Sequence, residues 1–378
     1  MKKNFNISSR FSKFSMVLAL LMFVALTPAC DKEIYDFDNC DPEVSPDDPT
    51  TPDRPDRPDR PDRPDGPSDP AGPDEPEPTA YYVKFIYDMN LQFTDGFSTN
   101  VNSVDLYVFQ NGNYITQYHE EGLPLKNTEY LMELTGLPAG TYELIAWCGV
   151  NNGYFTVPQV IKYNYNLDCT LTTSGNIQGA QLPAMFHGVP ETKTVTYTED
   201  PGAQIKEVYL TKDTNNINIT IQHLESLEFE KGRFSAEITD NNGYLLYDNS
   251  VPNDNQMITY QPHRIVYGYV DYETRATTRG NFLQVEFSTS RLMESHTATL
   301  DITDNDTGNV IYSIPVVTWA LKLRSAEYKG MGEQEYLDRQ DQYNLLVLLK
   351  DDENGDGWIG ADVKIIDWHV KDDSADLN

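Results

Sequence analysis

Positively charged residues are scarce in this chain of 378 residues, with 28 lysines and arginines against 59 acidic residues. The formal net charge of −31 repels nucleic acid and anionic membrane surfaces, so we exclude nucleic acid as a partner. Cysteine occurs only four times and never as CxxC, so the sequence does not indicate a thiol-bound metal. The six histidines lack HExxH or any other paired ligand spacing.

Sequence patterns of enzymes are missing as well. The chain has no GxSxG motif, no P-loop and no GxGxxG fingerprint. Acidic pairs are common by chance among 59 acidic residues, and a glycosidase needs two carboxylates at a separation of roughly 5 to 9 Å. We therefore predict a protein that is not an enzyme and holds no cofactor.

The amino-terminal segment has basic residues but no acidic residue before Asp31. An apolar run, Phe14–Leu26, follows this basic start, which is typical of a secretory signal. The run is short for a transmembrane helix, which needs roughly 20 apolar residues. Because Leu26–Cys30 (LTPAC) resembles a bacterial lipobox, we predict a signal peptide over residues 1–29 and lipidation of Cys30. The alternative is an ordinary signal peptide with a chance cysteine near the cleavage site.

The segment after Cys30 changes sharply in composition. Residues 41–80 hold 13 of the 23 prolines and no aromatic residue, and Pro-Asp-Arg repeats from Pro52 to Arg63. Such a segment cannot bury a core, and proline-rich chain extends by ~3.1 Å per residue. We predict that residues 30–80 form a lipidated, disordered stalk that lifts the folded body off the membrane.

From Tyr81 onward the hydrophobic pattern has a period of two. Apolar and other residues alternate along four segments: 104–108, 142–146, 217–221 and 283–287. This alternation predicts strands with one face on a core and one face in water. The pairs Asn111-Gly112 and Asn242-Gly243 predict tight hairpin turns, and only Glu333–Tyr343 reads as a helix. We predict an all-β protein of two antiparallel β-sandwich domains, residues 81–195 and 196–378.

The cysteines and one acidic cluster are the remaining candidate sites. If Cys30 is lipidated, one disulfide can form between Cys148 and Cys169, or between Cys40 and either of them. A calcium loop of the type D-x-N-x-D-G is suggested by three acidic or amide residues, which are Asp352, Asn354 and Asp356. The twelfth position is Val363 rather than the usual glutamate, so we favour an acidic turn.

Eight segments in order give the chain a resemblance to a known family. They are FIYDMN (85–90), VDLYVFQNGNYI (104–115), LPAGTYELIAWCG (137–149), MFHG (185–188), LTKDTNNINITIQ (210–222), ITDNNGYLLYDN (238–249), EYLDRQDQYNLLVLL (335–349) and IIDWHV (365–370). Together with the lipobox cysteine, they resemble the FimB-type fimbrial anchor subunits of Bacteroidales. The Pro-Asp-Arg stalk is longer than this resemblance leads us to expect.

The resemblance implies two transthyretin-like β-sandwich domains attached to the outer membrane through Cys30, exposed on the cell surface. It also implies contact with fimbrial shaft subunits by strand addition, in which backbone hydrogen bonds provide much of the affinity. Such an anchor holds fimbriae on the cell, limits their length and supports adhesion. Val363–Val370 is one segment that could engage the shaft, although an ordinary core strand is the simpler interpretation.

A second hypothesis comes from the 24 tyrosines. Exposed aromatic rings on a β-sandwich can stack on sugars, which indicates a surface glycan-binding lipoprotein as the alternative function. Tyrosine also suits half-buried strands, and this is the commoner use. Two or three coplanar aromatic rings on one exposed face would favour the glycan alternative.

We expect Cys30→Ser to release the protein, with any fimbriae attached to it, from the cell surface. Several acyl chains on one residue hold a protein durably on a membrane, since each buried CH₂ contributes about 0.8 kcal/mol. Immunoblots of cells and of culture medium measure the distribution. Retention of the variant on cells would show that the lipid is not the attachment.

Overall fold

The computed structural model describes residues 78–223, 232–271, 279–322, 324–351 and 358–365. The strands are β1 Ala80–Ile86, β2 Ser103–Gln110, β3 Asn113–Glu121, β4 Met132–Glu133, β5 Gly140–Cys148, β6 Phe155–Thr156, β7 Cys169–Leu171, β8 Ile177–Gln178, β9 Phe186–Val189, β10 Val195–Tyr197, β11 Ala203–Lys212, β12 Thr214–His223, β13 Phe234–Asp240, β14 Tyr244–Leu245, β15 Ile258–Tyr260, β16 Arg264–Asp271, β17 Arg279–Ser290, β18 Thr299–Asp304, β19 Asn309–Pro315, β20 Gln342–Asp351 and β21 Trp358–Ile365. Three short helices are α1 Phe97–Asn100, α2 Val316–Lys322 and α3 Glu333–Arg339. The structure confirms the all-β prediction.

The amino-terminal part folds into one eight-stranded sheet. Its order is β3-β2-β5-β9-β11-β1-β4, and β10 pairs with the start of β5. One face of the sheet builds a hydrophobic core, the first core, whose members include Val83, Phe85, Leu106, Val108, Leu144, Ala146, Val208 and Leu210. Alternate residues of each strand supply this core, as the period of two predicts.

The opposite face of this first sheet is also buried, which corrects the expectation that it meets water. Tyr107 and Trp147 are 1% and 0% exposed, and both belong to a second hydrophobic core. Even Asp105 on β2 is buried, where it accepts hydrogen bonds from Gln117 and contacts His119. Successive residues of β2 and β5 therefore face two different cores rather than a core and solvent. Aromatic residues occupy positions for which the alternation predicts exposure to water.

The second core lies mainly between two five-stranded sheets from the carboxy-terminal part. Their orders are β16-β17-β12-β20-β21 and β19-β18-β13-β15-β8. In the first of these, Ile217, Ile219 and Ile221 stand opposite Phe287, Val285 and Leu283. All six side chains are buried, while Asn218 and Glu286 between them are not. The alternation predicted for these two strands is confirmed.

Short strands from the first half of the chain join the carboxy-terminal sheets. β7 pairs with β6 and β14 in a three-stranded sheet, and β8 pairs with β15. The chain changes from the first sheet to the second at Asp213, between β11 and β12. Strand β11 lies after the predicted domain boundary, but it pairs with β1 and β9 of the first sheet. The division into domains at residues 195 and 196 stays a prediction.

The sheets are mixed, so the prediction of purely antiparallel pairing is wrong. Three strand pairs in the described part of the chain are parallel: β1 with β11, β12 with β20, and β15 with β8. Each joins segments far apart in sequence, as a parallel pair requires a long crossover connection. Alternation alone does not reveal strand direction, because both kinds of pair place successive side chains on opposite faces.

The two predicted turns have different outcomes. Asn111 and Gly112 have φ values of 50° and 75° and join β2 to β3, so this hairpin is confirmed. Asn242 and Gly243 do not have positive φ, and no hairpin forms there. Instead, Asn242 is buried and donates to the carbonyls of Ser290 and Arg291. Gly243 packs so close to Ile258 that a Cβ would overlap its side chain.

The predicted helix and a missed helix lie close together. The helix predicted over Glu333–Tyr343 begins at Glu333 but ends at Arg339, because β20 starts at Gln342. Helix α2 was not predicted, since Val316 and Val317 follow a strand and are themselves typical of strands. No helix among the described residues is long and apolar enough to cross a membrane.

Gly149 provides a test of the close packing at the end of β5. Its φ is +73°, and a Cβ would lie 2.4 Å from the carbonyl oxygen of Ala184. We expect Gly149→Ala to lower the free energy of unfolding by about 2–4 kcal/mol, through backbone strain and overlap. Gly136 has φ +77° with no neighbour within 4 Å, so Gly136→Ala should cost only about 1 kcal/mol. Urea unfolding measures the free energy of unfolding of both variants. Equal losses would contradict the close contact of Gly149 with Ala184.

Candidate functional site

Two of the predicted sites lie outside the described residues. These are the lipidation site Cys30 and the calcium-loop residues Asp352, Asn354 and Asp356. Within the described ranges, no group of three or more histidine, cysteine or acidic residues is arranged to hold a metal ion. Lipidation and the acidic turn stay predictions.

Of the disulfide pairings that the sequence leaves open, the one between Cys148 and Cys169 is not formed, and Cys40 lies outside the described residues. Cys148 and Cys169 are both free and buried. Cys148 belongs to the first core, whereas Cys169 belongs to the second core. Trp147, which precedes Cys148 on β5, also belongs to the second core. Since successive residues of a strand point to opposite faces, the sheet itself separates the two thiols. Burial raises the pKa of both thiols, which keeps them protonated.

A buried charged cluster joins four parts of the chain near the change of sheet. Arg291, which follows β17, donates two hydrogen bonds to Asp338 of α3, at 2.8 and 2.7 Å. Its Nε lies 3.6 Å from Oδ1 of Asp213, and its Nη1 donates to the carbonyl of Asn249. The Asn249 amide in turn donates to Asp213 at 3.0 Å. We call these four residues the Arg291 cluster.

The ionisation of the Arg291 cluster follows from burial and charge. Burial alone would lower the pKa of Arg291, but Asp338 and Asp213 outweigh it and raise the pKa. The guanidinium therefore stays charged. Asp213 is fully buried, and desolvation raises its pKa to about 7, although Arg291 and Asn249 partly oppose the shift. One oxygen of its carboxyl group has no partner among the described residues.

His187 lies next to this cluster on β9. Its ring contacts Trp147 with the centroids 4.6 Å apart, and Nε2 lies 2.9 Å from the Tyr247 carbonyl. Because a carbonyl only accepts, Nε2 carries the proton of the neutral ring. Burial lowers the pKa of His187 to about 4. The ring is therefore a packed core group that stays neutral at physiological pH.

The outer strands of the sheets are the places where another chain could add a strand. β3 is protected at its start, where the Tyr114 amide donates to the Lys162 carbonyl, and a bulge interrupts it. A register shift also interrupts the pairing of β19 with β18. β21 pairs with β20 over Leu345–Asp351 and with no other strand among the described residues. β21, like β16 at the other end of the same sheet, is therefore an edge of eight residues that can accept a partner strand.

A comparison with protein families decides the identity. The profile of the fimbrillin-A associated anchor proteins Mfa1 and Mfa2 matches residues 72–374, which is most of the chain. The chain belongs to this anchor protein family. Membership confirms the resemblance drawn from the eight sequence segments, and this family is one of structural fimbrial proteins rather than enzymes. The anchor family implies a fimbrial and adhesive role at the cell envelope.

Solved structures support the same assignment. A candidate adhesin of Bacteroides thetaiotaomicron shares 28% identity with a TM-score of 0.66, covering 78% of this chain and 97% of that chain. A candidate polysaccharide-binding protein of the same organism shares 27% identity, with a TM-score of 0.64 and coverage of 76% and 98%. The fimbrial anchor protein Mfa2 of Porphyromonas gingivalis has 14% identity, a TM-score of 0.59 and coverage of 76% and 98%, which shows a shared fold. The comparison with curated proteins found no match.

Sequence reasoning missed the Arg291 cluster. Its members are separated by tens of residues, and each looks like an ordinary polar or charged surface residue. One local signal was available, since Asp213 interrupts two strands of clear alternation, β11 and β12, at the change of sheet. An acidic residue in that position is either exposed or paired within the core.

Opposite pKa shifts at Asp213 and His187 make stability vary less with pH. The Asp213 pKa is raised from 3.8, so its contribution is present at low pH and is lost as pH rises towards 7. The His187 pKa is lowered from 6.5, so its contribution is lost as pH falls towards 4. Between pH 4 and 6.5 the two trends cancel.

We expect single variants to uncover these trends. Relative to the unchanged protein, Asp213→Asn should gain stability as pH rises from 4 to 6.5, and His187→Gln should lose it. The slope of each difference approaches, at most, about 1.4 kcal/mol per pH unit, the value for one proton. Urea unfolding at a series of pH values measures them. Parallel curves for all three proteins would contradict the shifts.

Proposed function

We propose that the protein is an outer-membrane lipoprotein that acts as an anchor or accessory subunit of fimbriae. In this proposal the lipid on Cys30 attaches it to the cell surface, and residues 30–80 lift the folded body away from the membrane. The protein holds fimbriae on the cell, limits their length and supports adhesion. Membership of the anchor family, through residues 72–374, is the observation that carries the proposal.

The shaft contact is proposed to use strand addition at β21. This edge strand pairs only with β20 among the described residues, so its second row of backbone groups is available. A partner strand would satisfy those groups and extend the five-stranded sheet. The segment Val363–Val370, singled out in the sequence, begins within β21, and residues 366–370 lie outside the described residues. The two sandwiches are proposed to be transthyretin-like domains in tandem.

The glycan-binding alternative predicts coplanar exposed rings. Tyr163 and Tyr165 are 41% and 57% exposed, and their rings lie 5.1 Å apart at 12°. At this distance the rings stack on each other instead of lying side by side, so each covers one face of the other. They do not form a flat platform for a sugar chain, and anchoring remains the better-supported function.

The test of the proposed function is recovery of the shaft subunit. We expect the protein, isolated from outer membranes, to bring a polymeric shaft subunit with it. Neighbouring residues of an edge strand direct their N–H groups to opposite sides, so Val363→Pro and Lys364→Pro remove one inward and one outward donor. The variant that removes the outward donor should keep its folding stability, because that donor does not bond to β20. This variant should lose shaft recovery by about tenfold or more, the ratio for 1.4 kcal/mol.

Alanine at the same two positions is the matched control, because it keeps both backbone donors. Val363→Ala and Lys364→Ala should retain the shaft subunit. If the folded proline variant recovers as much shaft as its alanine partner, β21 is not the contact. Recovery of polysaccharide-uptake proteins, with no shaft subunit, would favour the glycan alternative.

A further inference from the structure

A polar cleft of about 890 Å³ lies between two loop regions. One wall comes from residues 87–100, after β1, and the other from residues 325–344, around α3. Lys212, at the end of β11, contributes to the floor. Ligand sites in proteins typically occupy about 300–1,000 Å³, so this cleft is large enough for a small oligomer of sugars or amino acids.

Arg339 ties the two walls together. Its Nη1 donates to the carbonyls of Asp88 and Asn90 at 2.8 and 3.3 Å, and its Nε donates to Glu335 at 3.0 Å. The guanidinium also lies over the ring of Phe93, 4.5 Å from its centroid. The cleft therefore keeps its shape without a ligand, which reduces the entropy lost on binding.

Phe93 lies beside the cleft, in an adjoining depression, and has an unusual conformation. Its φ is +52°, a left-handed value that costs a bulky residue free energy, and the side chain is 54% exposed. It lines a depression that shares Tyr328 with the cleft. Arg339 covers one face of the ring, and a ligand can contact the rest. A strained, exposed aromatic beside a cleft points to binding rather than to folding.

The two cations of the cleft are already paired with carboxylates, and its other acidic residue, Asp95, accepts hydrogen bonds from the backbone amides of Tyr87 and Phe97. Lys212 is paired with Asp341, and Arg339 is paired with Glu335. Six carboxamides contribute to the rest of the polar wall: Asn90, Gln92, Asn100, Gln340, Gln342 and Asn344. Four of them, Asn90, Asn100, Gln340 and Asn344, already make hydrogen bonds within the protein. Gln92 and Gln342 are exposed, and their side chains make no hydrogen bond to described residues. Carboxamides both donate and accept, which suits the hydroxyl groups of a neutral ligand.

One hydroxyl group of the lining also lacks a partner among the described residues. The Oγ atom of Ser325 is buried and makes no hydrogen bond. Buried polar groups are normally satisfied, so this hydroxyl indicates that a polar ligand can complete the site.

From these contacts we infer that the cleft binds a neutral oligosaccharide, with the side chains of Gln92, Gln342 and Ser325 on its OH groups and with Phe93, in the adjoining depression, against a sugar ring. An anionic ligand would meet no unpaired cation, because Lys212 and Arg339 are engaged. An extended peptide would need apolar side-chain pockets or a free strand edge, and the lining offers few apolar groups besides its aromatic rings. This site is distinct from the proposed shaft contact at β21.

A glycan array followed by calorimetry on the full-length protein tests this site. The array contains neutral glycans of host, plant and bacterial origin, with hexagalacturonate as the anionic probe. We expect at least one neutral oligosaccharide to bind with a Kd of about 1 mM or tighter, and Phe93→Asn to weaken it about threefold to tenfold. Asparagine adopts positive φ readily, so this variant removes the ring without disturbing the turn.

Four further variants sharpen the result. Phe93→Tyr keeps the ring and should keep binding, whereas Gln92→Ala and Gln342→Ala should each weaken it, since neither side chain supports the fold. Tyr165→Asn removes an exposed aromatic outside the cleft and should change nothing. The inference is overturned if no neutral glycan binds, if only hexagalacturonate binds, or if Tyr165→Asn abolishes binding while Phe93→Asn does not. Shaft recovery should be unchanged in Phe93→Asn, which separates this result from the anchoring test.

Discussion

The first sheet has to be covered on both faces, and most of the architecture follows from this requirement. β2 and β5 carry apolar or aromatic residues at successive positions, so each face needs its own core. Trp147 and Tyr107 can leave water only if the carboxy-terminal sheets pack against them, and each such side chain contributes about 1.5–3 kcal/mol when buried. The small strands β7 and β8 reach towards those sheets for the same reason. Either half alone would expose a large apolar surface.

The Arg291 cluster lies where the chain passes from the first sheet to the carboxy-terminal sheets. Replacing a buried ion pair by apolar residues can be neutral, but removing one partner costs about 3–5 kcal/mol. Arg291 reaches Asp213, Asn249 and Asp338 at once, so it specifies how the change of sheet, the loop after β14 and helix α3 meet. Helix α3 also supplies Arg339 to the cleft, so the position of one cleft wall depends on this buried charge.

Local alternation predicted the strands well where one face of the strand was apolar and the other face was polar. Ile217, Ile219 and Ile221 are the clearest case, and the tight turn at Asn111-Gly112 is another. Alternation could not show that the other face of β2 is buried, since tyrosine suits both water and a core. It could not give strand direction or the contacts of Arg291 and Asp213, which depend on residues far apart in sequence. The cleft was missed for the same reason, because its walls meet only after folding.

The parallel pairing of β1 with β11 has a mechanical consequence. β1 is the first strand after the proline-rich segment, and it pairs with β11 in register from Ala80 to Ile86. Tension applied along the axis of β1 would slide this strand past its neighbour. In that direction the load is shared by all the hydrogen bonds of the pair, whereas peeling would break them one after another. A pull along this axis thus loads the pair in shear, the direction in which it resists force best.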